Sequence, residues 1–560
     1  MKKKYVQAAV ALILTAAMTI GVTACGGKDA GSEQATESAT EATQSLSAKA
    51  TAWMQNETDV IAEDDNYRTY YEIFVYSFCD SDGDGVGDLN GVRSKLDYIQ
   101  DMGFTGIWLM PIMESPTYHK YDSTDYMSVD DEYGTLDDFK ALVEECHERN
   151  IKVIIDLAMN HSSSEHPWFK EAYAYIQSLG ENEEPDAEVC PYVDYYNFTK
   201  NFESGYTEVS GTDWYYESQF WSGMPDLNWD SQAVRDEFQE IAKFWMDMGI
   251  DGFRLDAVKY FYFGDDEGCK EVLSWFNDYV TSLNPNSYIV CENWSDQTAY
   301  AKYYESGVDS LFDFKFADKS GVIAQVVKGS SAASSYGKAL VAEEELYASY
   351  SADYINAPFY TNHDLARSAG YYLGDNSEAQ VKIAQAMNLL MSGNPFLYYG
   401  EELGMKGSGK DENKRAPMYW SMDADAEGMC DGPADMENFD MKFESYEEQS
   451  KDASSIYQYV KNVILLRNQQ EVIRKGSTTC LEDLSNDDIC VIKKTYEGEE
   501  LLLLFNISEN ENTVDLSGVD VNGNAAQSAE IAGELLTGDT EVNISDATVT
   551  MPAYSILVLR

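Results

Sequence analysis

Two carboxylates in this chain of 560 residues stand where acid and base work on a sugar would need them: Asp256 closes the run 252–256, and Glu292 closes the run 287–292. Cleaving a glycosidic bond with retention takes one ionised carboxylate as nucleophile and one protonated carboxyl as acid, about 5 Å apart across the sugar. If the two runs are successive strands of a parallel sheet, they lie about 4.8 Å apart, and their end residues can converge on one anomeric carbon. Arg254, two residues before Asp256, falls on the same strand face and can hold the aspartate ionised by charge and hydrogen bonding. Partial burial and the neighbouring negative charge would keep Glu292 protonated. Asp364, after His363, is a third carboxylate at another strand end. Asp and Glu total 98 in this chain, so each acid taken alone reads as a solvated loop charge. The five histidines are more selective: His119, His161 and His363 all fall at or just after the ends of apolar runs.

Those ends must be positioned by something. Short β-rich runs at 72–78, 106–110, 152–156, 252–256, 287–292, 310–313, 358–362 and 395–399 predict eight strands, mostly separated by helical stretches. Apolar spacing of three and four marks the helices, as in Leu136, Phe139, Leu142, Val143 and Cys146, or Phe238, Ile241, Phe244 and Trp245. The expectation is an α/β fold, a (β/α)8 TIM barrel. Its strands end in DLAMNH (156–161), RLD (254–256), CEN (291–293), TNHD (361–364) and YGEE (399–402), and in such barrels the C-terminal strand ends carry the active site. About 90 residues separate the third strand from the fourth, too many for a loop, which implies an inserted subdomain over the barrel mouth. After about residue 475, alternating runs such as 488–494, 501–505 and 554–559 imply a C-terminal all-β sandwich.

The run DSDGDGVGDLNG at 80–91 is separately informative. Acids at 80, 82, 84 and 88, with Gly85 at the turn, match the first part of an EF-hand loop, but position 12 is Gly91 instead of glutamate. Four aspartates this close would repel one another without a cation.

A formal charge of −59 argues against nucleic-acid partners, whose phosphates would meet an acidic surface. Aromatics at 13% suit sugars, whose C–H faces lie against ring planes. Lys2, Lys3 and Lys4, the apolar stretch 5–22 and the small residues before Cys25 look like a bacterial lipoprotein signal, with Cys25 lipidated. Residues 26 to about 60 have the composition of a tether. The expected division is a signal peptide at 1–24, a tether at 25–62, the first part of the barrel at 63–160, the inserted subdomain at 161–222, the rest of the barrel at 223–474 and the sandwich at 475–560. No CxxC pair suggests a metal–thiolate site, and Cys480 and Cys490 could bridge a late hairpin.

Five ordered segments, DLAMNH (156–161), MPDLN (224–228), GFRLDAVKY (252–260), CENW (291–294) and TNHD (361–364), resemble the α-amylase family of glycoside hydrolases, family 13. The resemblance implies that Asp256 is the nucleophile, Glu292 the acid/base and Asp364 the transition-state stabiliser. Arg254, His161 and His363 would line the site, with Asp156 behind them. In YHKYDSTDY (118–126), Tyr121 would stack on the sugar and His119 bond its hydroxyl, while Lys259 would contact the leaving-group side. The acidic loop resembles the family's calcium loop after the first strand, with Asp80, Asp82, Asp84, Asp88 and the Val86 carbonyl as ligands. Lys259-Tyr260 replaces the Lys-His of many α-amylases, so a second, interdomain calcium is not implied, although Asn160 is retained. The MPDLN segment resembles an intermediate group that includes lipoprotein α-amylases. The expected activity is endo-cleavage of α-1,4 bonds in starch-like α-glucans by a monomer on the extracellular face of the membrane. The rivals are an exo-acting α-glucosidase or oligo-1,6-glucosidase, a transglycosylase using the same intermediate, and a binding protein on a dead barrel.

Overall fold

The computed structural model describes residues 61–560; the expected signal segment, the Cys25 anchor and the tether up to residue 60 lie outside the described residues. Eight parallel strands form one row. In chain order they are β1 (Tyr70–Ile73), β2 (Gly106–Leu109), β3 (Lys152–Leu157), β7 (Gly252–Leu255), β8 (Tyr288–Cys291), β9 (Ser310–Asp313), β10 (Ala357–Pro358) and β11 (Phe396–Tyr398). Their spatial order is β10-β9-β8-β7-β3-β2-β1-β11, and a parallel bridge between Phe359 and Phe396 joins the two ends, closing a barrel. All four residues of β1, β2, β7, β8 and β9 are buried, as expected of strands covered on both faces.

The barrel's interior is filled by rings and not by a channel. Tyr70 stacks between Tyr288 (5.3 Å) and Phe396 (4.8 Å), and Trp108 lies 5.4 Å from Phe312. This layer is the floor beneath the strand ends. Gly252 opens β7 at φ +155, and a Cβ there would sit 1.9 Å from the Tyr288 carbonyl oxygen, so only glycine lets β7 and β8 start side by side.

Most strand ends fall short of the sequence expectation, although β3 runs one residue past it and β9 ends where expected. The first run was expected at 72–78, but β1 stops at Ile73, and Val75–Ser77 form a 3₁₀ turn. Apolar residues there pack the rim while their carbonyls bind the loops above: Gly87 N–H donates to Tyr76 and Met418 N–H to Ser77, both at 2.8 Å. The run at 358–362 likewise pairs only as far as Phe359: Ala357 and Pro358 pair with β9, and Phe359 makes the single bridge to Phe396 before the chain turns into the site.

Between β3 and β7 lies an antiparallel three-stranded sheet of β4 (Phe198–Thr199), β5 (Tyr206–Glu208) and β6 (Tyr215–Glu217), with the helix Pro167–Ser178 beside it. That helix starts on proline at its first turn, and His166 Nδ1 accepts the Trp168 N–H at 3.1 Å.

The C-terminal region pairs a five-stranded sheet with a three-stranded one. The first runs β12 (Ser477–Cys480), β13 (Ile489–Tyr496), β14 (Glu499–Asn506), β21 (Ser555–Leu559) and β18 (Ile531–Leu535); the second runs β15 (Asn512–Asp515), β20 (Thr548–Met551) and β19 (Asn543–Ser545). Alternation along β13, β14 and β21 explains their unbroken apolar runs. Val491, Leu502, Leu504 and Leu557 face the small sheet, whereas Ile492, Leu503, Phe505 and Ile556 join the core shared with the barrel. Cys480 and Cys490 are free thiols, both against Gly337 on the helix Ser334–Ala348, and every described cysteine is free.

Candidate active site

One guanidinium organises the barrel mouth. Arg254, fully buried on β7, rests 5.1 Å from the Trp108 ring centroid. Its Nη1 donates to both Asp156 oxygens (2.9 and 3.0 Å) and to Asp256 Oδ1 at 2.6 Å; Nη2 lies 3.0 Å from Glu292 Oε2. Sheet register explains the convergence. Asp156 pairs with Arg254 across β3 and β7, and Leu255 pairs with Cys291 across β7 and β8, so one step further Asp256 and Glu292 stand side by side.

The chain leaves β7 through Ala257 at φ +48, a left-handed conformation that costs a residue with a Cβ about 1–2 kcal/mol. The contacts around it hold it there: Ala257 N–H donates to Glu292 Oε2 at 3.3 Å, and Val258 N–H to the Glu292 carbonyl at 3.0 Å. The turn therefore ties one acid's backbone to the other acid.

Environment separates the carboxyls. Burial pushes Glu292 up to about 7, against the pull of Arg254 and helped by the charges of Asp256 and Asp364. Burial also raises Asp156, to about 6, with Arg254 opposing. Asp364 goes the other way: burial opposes its ionisation, but His363 Nε2 at 3.2 Å and Arg415 Nη2 at 3.0 Å outweigh it and hold the carboxyl well below the usual range. One ionised acid and one acid close to half-protonated at neutral pH thus share the mouth.

Asp256, Glu292, Asp364, His119, Tyr121, His161 and Lys259 all line one cavity of about 400 Å³, a size suited to a small ligand. Arg254 and His363 lie just behind its wall. His161 Nε2 is buried without a partner, a donor or acceptor free for a ligand hydroxyl. Burial, reinforced by Arg415, lowers His119 to about 4; its Nδ1 accepts the Tyr121 N–H at 3.2 Å, leaving Nε2–H for a ligand. Lys259 Nζ donates to the Trp294 carbonyl at 2.5 Å. The MPDLN segment frames His161 from behind. Asp226 pairs with His161 in a backbone bridge, and its carboxyl, raised to about 8 by burial, accepts from Asn160 Nδ2 and the Gln219 N–H, both at 2.8 Å.

Several residues of the cavity were given no site role in the sequence. Met224, Ala257, Tyr260 and Trp294 lie inside the quoted segments, Phe220, Asp411 and Arg415 outside them, and together they complete the lining, while Glu72 supports it from β1. Glu72 carried a signal, a charge inside the apolar run YYEIFV. Arg415 carried none, because it caps a single helical turn, Asp411–Lys414, too short to leave a periodicity.

The acidic loop follows β1. Asp80, Asp82 and Asp88 each offer an oxygen, and all three atoms lie within 4.8 Å of one another. Their present partners are mostly backbone amides: Asp80 accepts from Asp82, Gly83 and Gly85 N–H at 3.0, 2.6 and 2.8 Å, and Asp88 from Ser81 and Gly91 N–H at 2.8 Å each. Asp84 stands outside the trio, exposed, accepting the Val86 N–H at 2.8 Å. A set of hard carboxylate oxygens on a tight turn fits calcium better than a thiophilic metal.

Comparison with known proteins matches the same features. Residues 72–476 match the family model described as "Alpha amylase, catalytic domain". The structure of Eubacterium rectale Amy13B superposes with a TM-score of 0.88 at 50% identity, covering 91% of this chain and 98% of that one. "Alpha-amylase 3" of Dictyoglomus thermophilum is 37% identical over 459 residues, 80% of this chain and 86% of that protein. The "Oligo-1,6-glucosidase" of Bacillus cereus is 30% identical over 531 residues, covering 80% and 91%.

Proposed function

The chain belongs to the α-amylase family of glycoside hydrolases, enzymes of α-glucans, and from that premise we propose that it cleaves α-1,4-glucosidic bonds within starch-like chains by double displacement. One observation carries the reading: the Arg254 guanidinium contacts Asp256 and Glu292 together at the wall of a sugar-sized cavity that Asp364 also lines.

Asp256 attacks the anomeric carbon, the bond from that carbon to the leaving oxygen breaks, and the Glu292 proton passes to that oxygen. The product is a glycosyl ester on Asp256. Glu292, now a carboxylate, takes a proton from water, whose oxygen attacks the same carbon and releases Asp256; two inversions give net retention. Asp364, held ionised by His363 and Arg415, braces the sugar as its ring flattens and gains positive charge. His119, His161 and Tyr121 bind its hydroxyls and face, and Lys259 meets the leaving side. Calcium would be held in the loop by the Asp80, Asp82 and Asp88 carboxylates with the Val86 carbonyl, and would offset part of the loop's negative charge; Asp84, committed to the Val86 N–H, would shape the turn. The N-terminal pattern supports a lipoprotein α-amylase, a monomer held by a lipid on Cys25 at the outer face of a bacterial membrane.

A second reading, exo-acting on short α-glucosides, is favoured by the charge in the cavity wall. Arg415, which bonds Asp364 and the Tyr118 hydroxyl (2.9 Å), lines the cavity together with Asp411. Exposed Trp294 and Phe220 line the same cavity with rings. Chromatography of early products from amylose, pullulan, isomaltose and maltose separates the two. Mixed maltooligosaccharides from amylose are expected; glucose alone selects the exo reading, and no turnover of any substrate sinks both.

A further inference from the structure

A carboxylate that the hydrolytic steps do not use lies against the sugar site. Glu72, in the middle of β1, is 1% exposed, and its Oε1 sits 2.6 Å from His363 Nδ1 and 3.4 Å from the His363 backbone nitrogen. On the far side of the imidazole, Nε2 lies 2.9 Å from the Tyr121 hydroxyl and 3.2 Å from Asp364 Oδ2. The Tyr121 hydroxyl gives its proton to Asp156 Oδ2 at 2.9 Å and receives Arg254 Nη1 at 3.3 Å, so its oxygen faces His363 as an acceptor.

Donor and acceptor counting sets the ring when Glu72 is ionised; burial raises that carboxyl, and His363 and Arg254 pull it down. An ionised carboxylate accepts and never donates, so a nitrogen between such groups must carry hydrogen. His363 Nδ1 faces one carboxylate and Nε2 faces another, with a committed hydroxyl beside it. We propose that Glu72 is a positioning residue that keeps His363 protonated on both nitrogens, with its Nε2–H fixed toward Asp364 and Tyr121. The proposal rests on the hydrolase reading above for its consequence, since the ring it sets is the cation that braces Asp364 beneath the sugar.

Every element packed on the ring agrees with this assignment. β1 contributes Glu72; β2 contributes Trp108, whose ring meets His363 edge-on at 5.7 Å; the segment after β2 contributes Tyr121. Beyond them, Arg254 and Asp156 reach the ring through Tyr121, and Arg415 reaches it through Asp364. Burial pulls the imidazole down, but Asp364 and Glu72 more than reverse that, to about 9. Removing the Glu72 charge leaves a buried ring with one carboxylate, free to lose its Nδ1 proton and face Asp364 with a neutral Nε2–H. A merely structural Glu72 would anchor a neutral ring equally well.

Nitrogen-15 labelling of histidine in the full chain reads this directly, because there are only five histidines and His363→Gln identifies the one in question. In the unsubstituted protein, both His363 nitrogens are expected to show protonated shifts at pH 7, with titration only near pH 9. In Glu72→Gln the ring should titrate below about pH 7, with kcat falling about 10- to 100-fold and KM moving less than about 3-fold, the cost of losing a hydrogen bond between charged groups. Glu72→Asp should recover part of the rate. A neutral ring at pH 7 in the unsubstituted protein overturns the proposal, as does Glu72→Gln with an unchanged ring and pH profile. If Glu72→Gln does not fold, the unsubstituted spectrum decides alone. An active enzyme with a neutral ring sinks this assignment only; a doubly protonated ring in a protein inert toward every α-glucan sinks the hydrolase reading and leaves the ring assignment standing.

Discussion

Two acidic clusters sit within one barrel, and they are neutralised in opposite ways. At the mouth, Asp156, Asp256, Glu292 and Asp364 are matched by cations that the chain itself supplies, Arg254, His363 and Arg415, each within 3.2 Å of a carboxylate. In the loop after β1, Asp80, Asp82 and Asp88 meet amide N–H groups and the Ser81 hydroxyl. Fixed internal cations can tune each carboxyl separately, which is what acid–base chemistry requires. Amide dipoles shape a loop but leave net charge, which is what an external cation can use. The mouth should therefore answer to substitution and pH, and the loop to metal.

The largest effect should separate the clusters outright. Asp256→Asn is expected to lower turnover of α-glucans by about 10⁴-fold or more while leaving oligosaccharide binding measurable by calorimetry. Asp80→Asn, with calcium supplied in excess, should keep kcat within about 3-fold, since no reacting group is touched. Comparable losses in the two variants would break the distinction, and full activity in Asp256→Asn would refute the nucleophile.

How much of this was legible beforehand follows the same division. Strand ends rich in acids and histidines marked the mouth because a barrel places every strand end on one rim, so linear motifs converge. Asp256, Glu292, Asp364, His119 and His161 line one cavity for that reason. Arg415 escaped because its place depends on a chain path that no periodicity encodes, and Glu72 because a charge inside a strand reads as an interruption until its partner is known. The expected first strand ran to residue 78 because rim packing is as apolar as strand packing; only the carbonyl partners of Tyr76 and Ser77 distinguish the two. In the C-terminal region the opposite held. β14 reads as an unbroken apolar run, which the two covered faces explain, one against the small sheet and one against the barrel.

The next effect in size concerns pH. Glu292 must carry its proton for the first step, and burial places it at about 7, so kcat/KM should fall about tenfold per unit as pH rises beyond that value. Because the group is buried, added salt should move this limb little. A profile flat to pH 9 would remove Glu292 as the acid. Chelation should leave the limb where it is, since the loop's charge is not among those acting on Glu292.

Chelation itself should act on stability. An ion that binds only the folded chain contributes about 2.7 kcal/mol at a hundred times its dissociation constant. Removing calcium with EDTA is therefore expected to lower the melting temperature by a few degrees, with activity at moderate temperature largely kept and the loss restored by added calcium. An unchanged melting temperature would mean that amide dipoles alone suffice for the loop, and the contrast between the clusters would reduce to one of position.

The smallest effect is the sharpest test of geometry. Asp82 belongs to the trio of converging oxygens, whereas Asp84 is exposed and its carboxylate is committed to the Val86 N–H. A carboxylate that coordinates the ion directly should cost about tenfold in calcium affinity when made an amide, because charge is lost from the site and the amide oxygen is a weaker donor. One that only shapes the turn should cost much less, since asparagine accepts the same N–H bond. Asp82→Asn is thus expected to weaken calcium binding, read by titration calorimetry, several-fold more than Asp84→Asn. Equal losses would mean that the loop rearranges around the ion to recruit Asp84, and the separation between them in the present structure would then describe the loop before it closes on its metal.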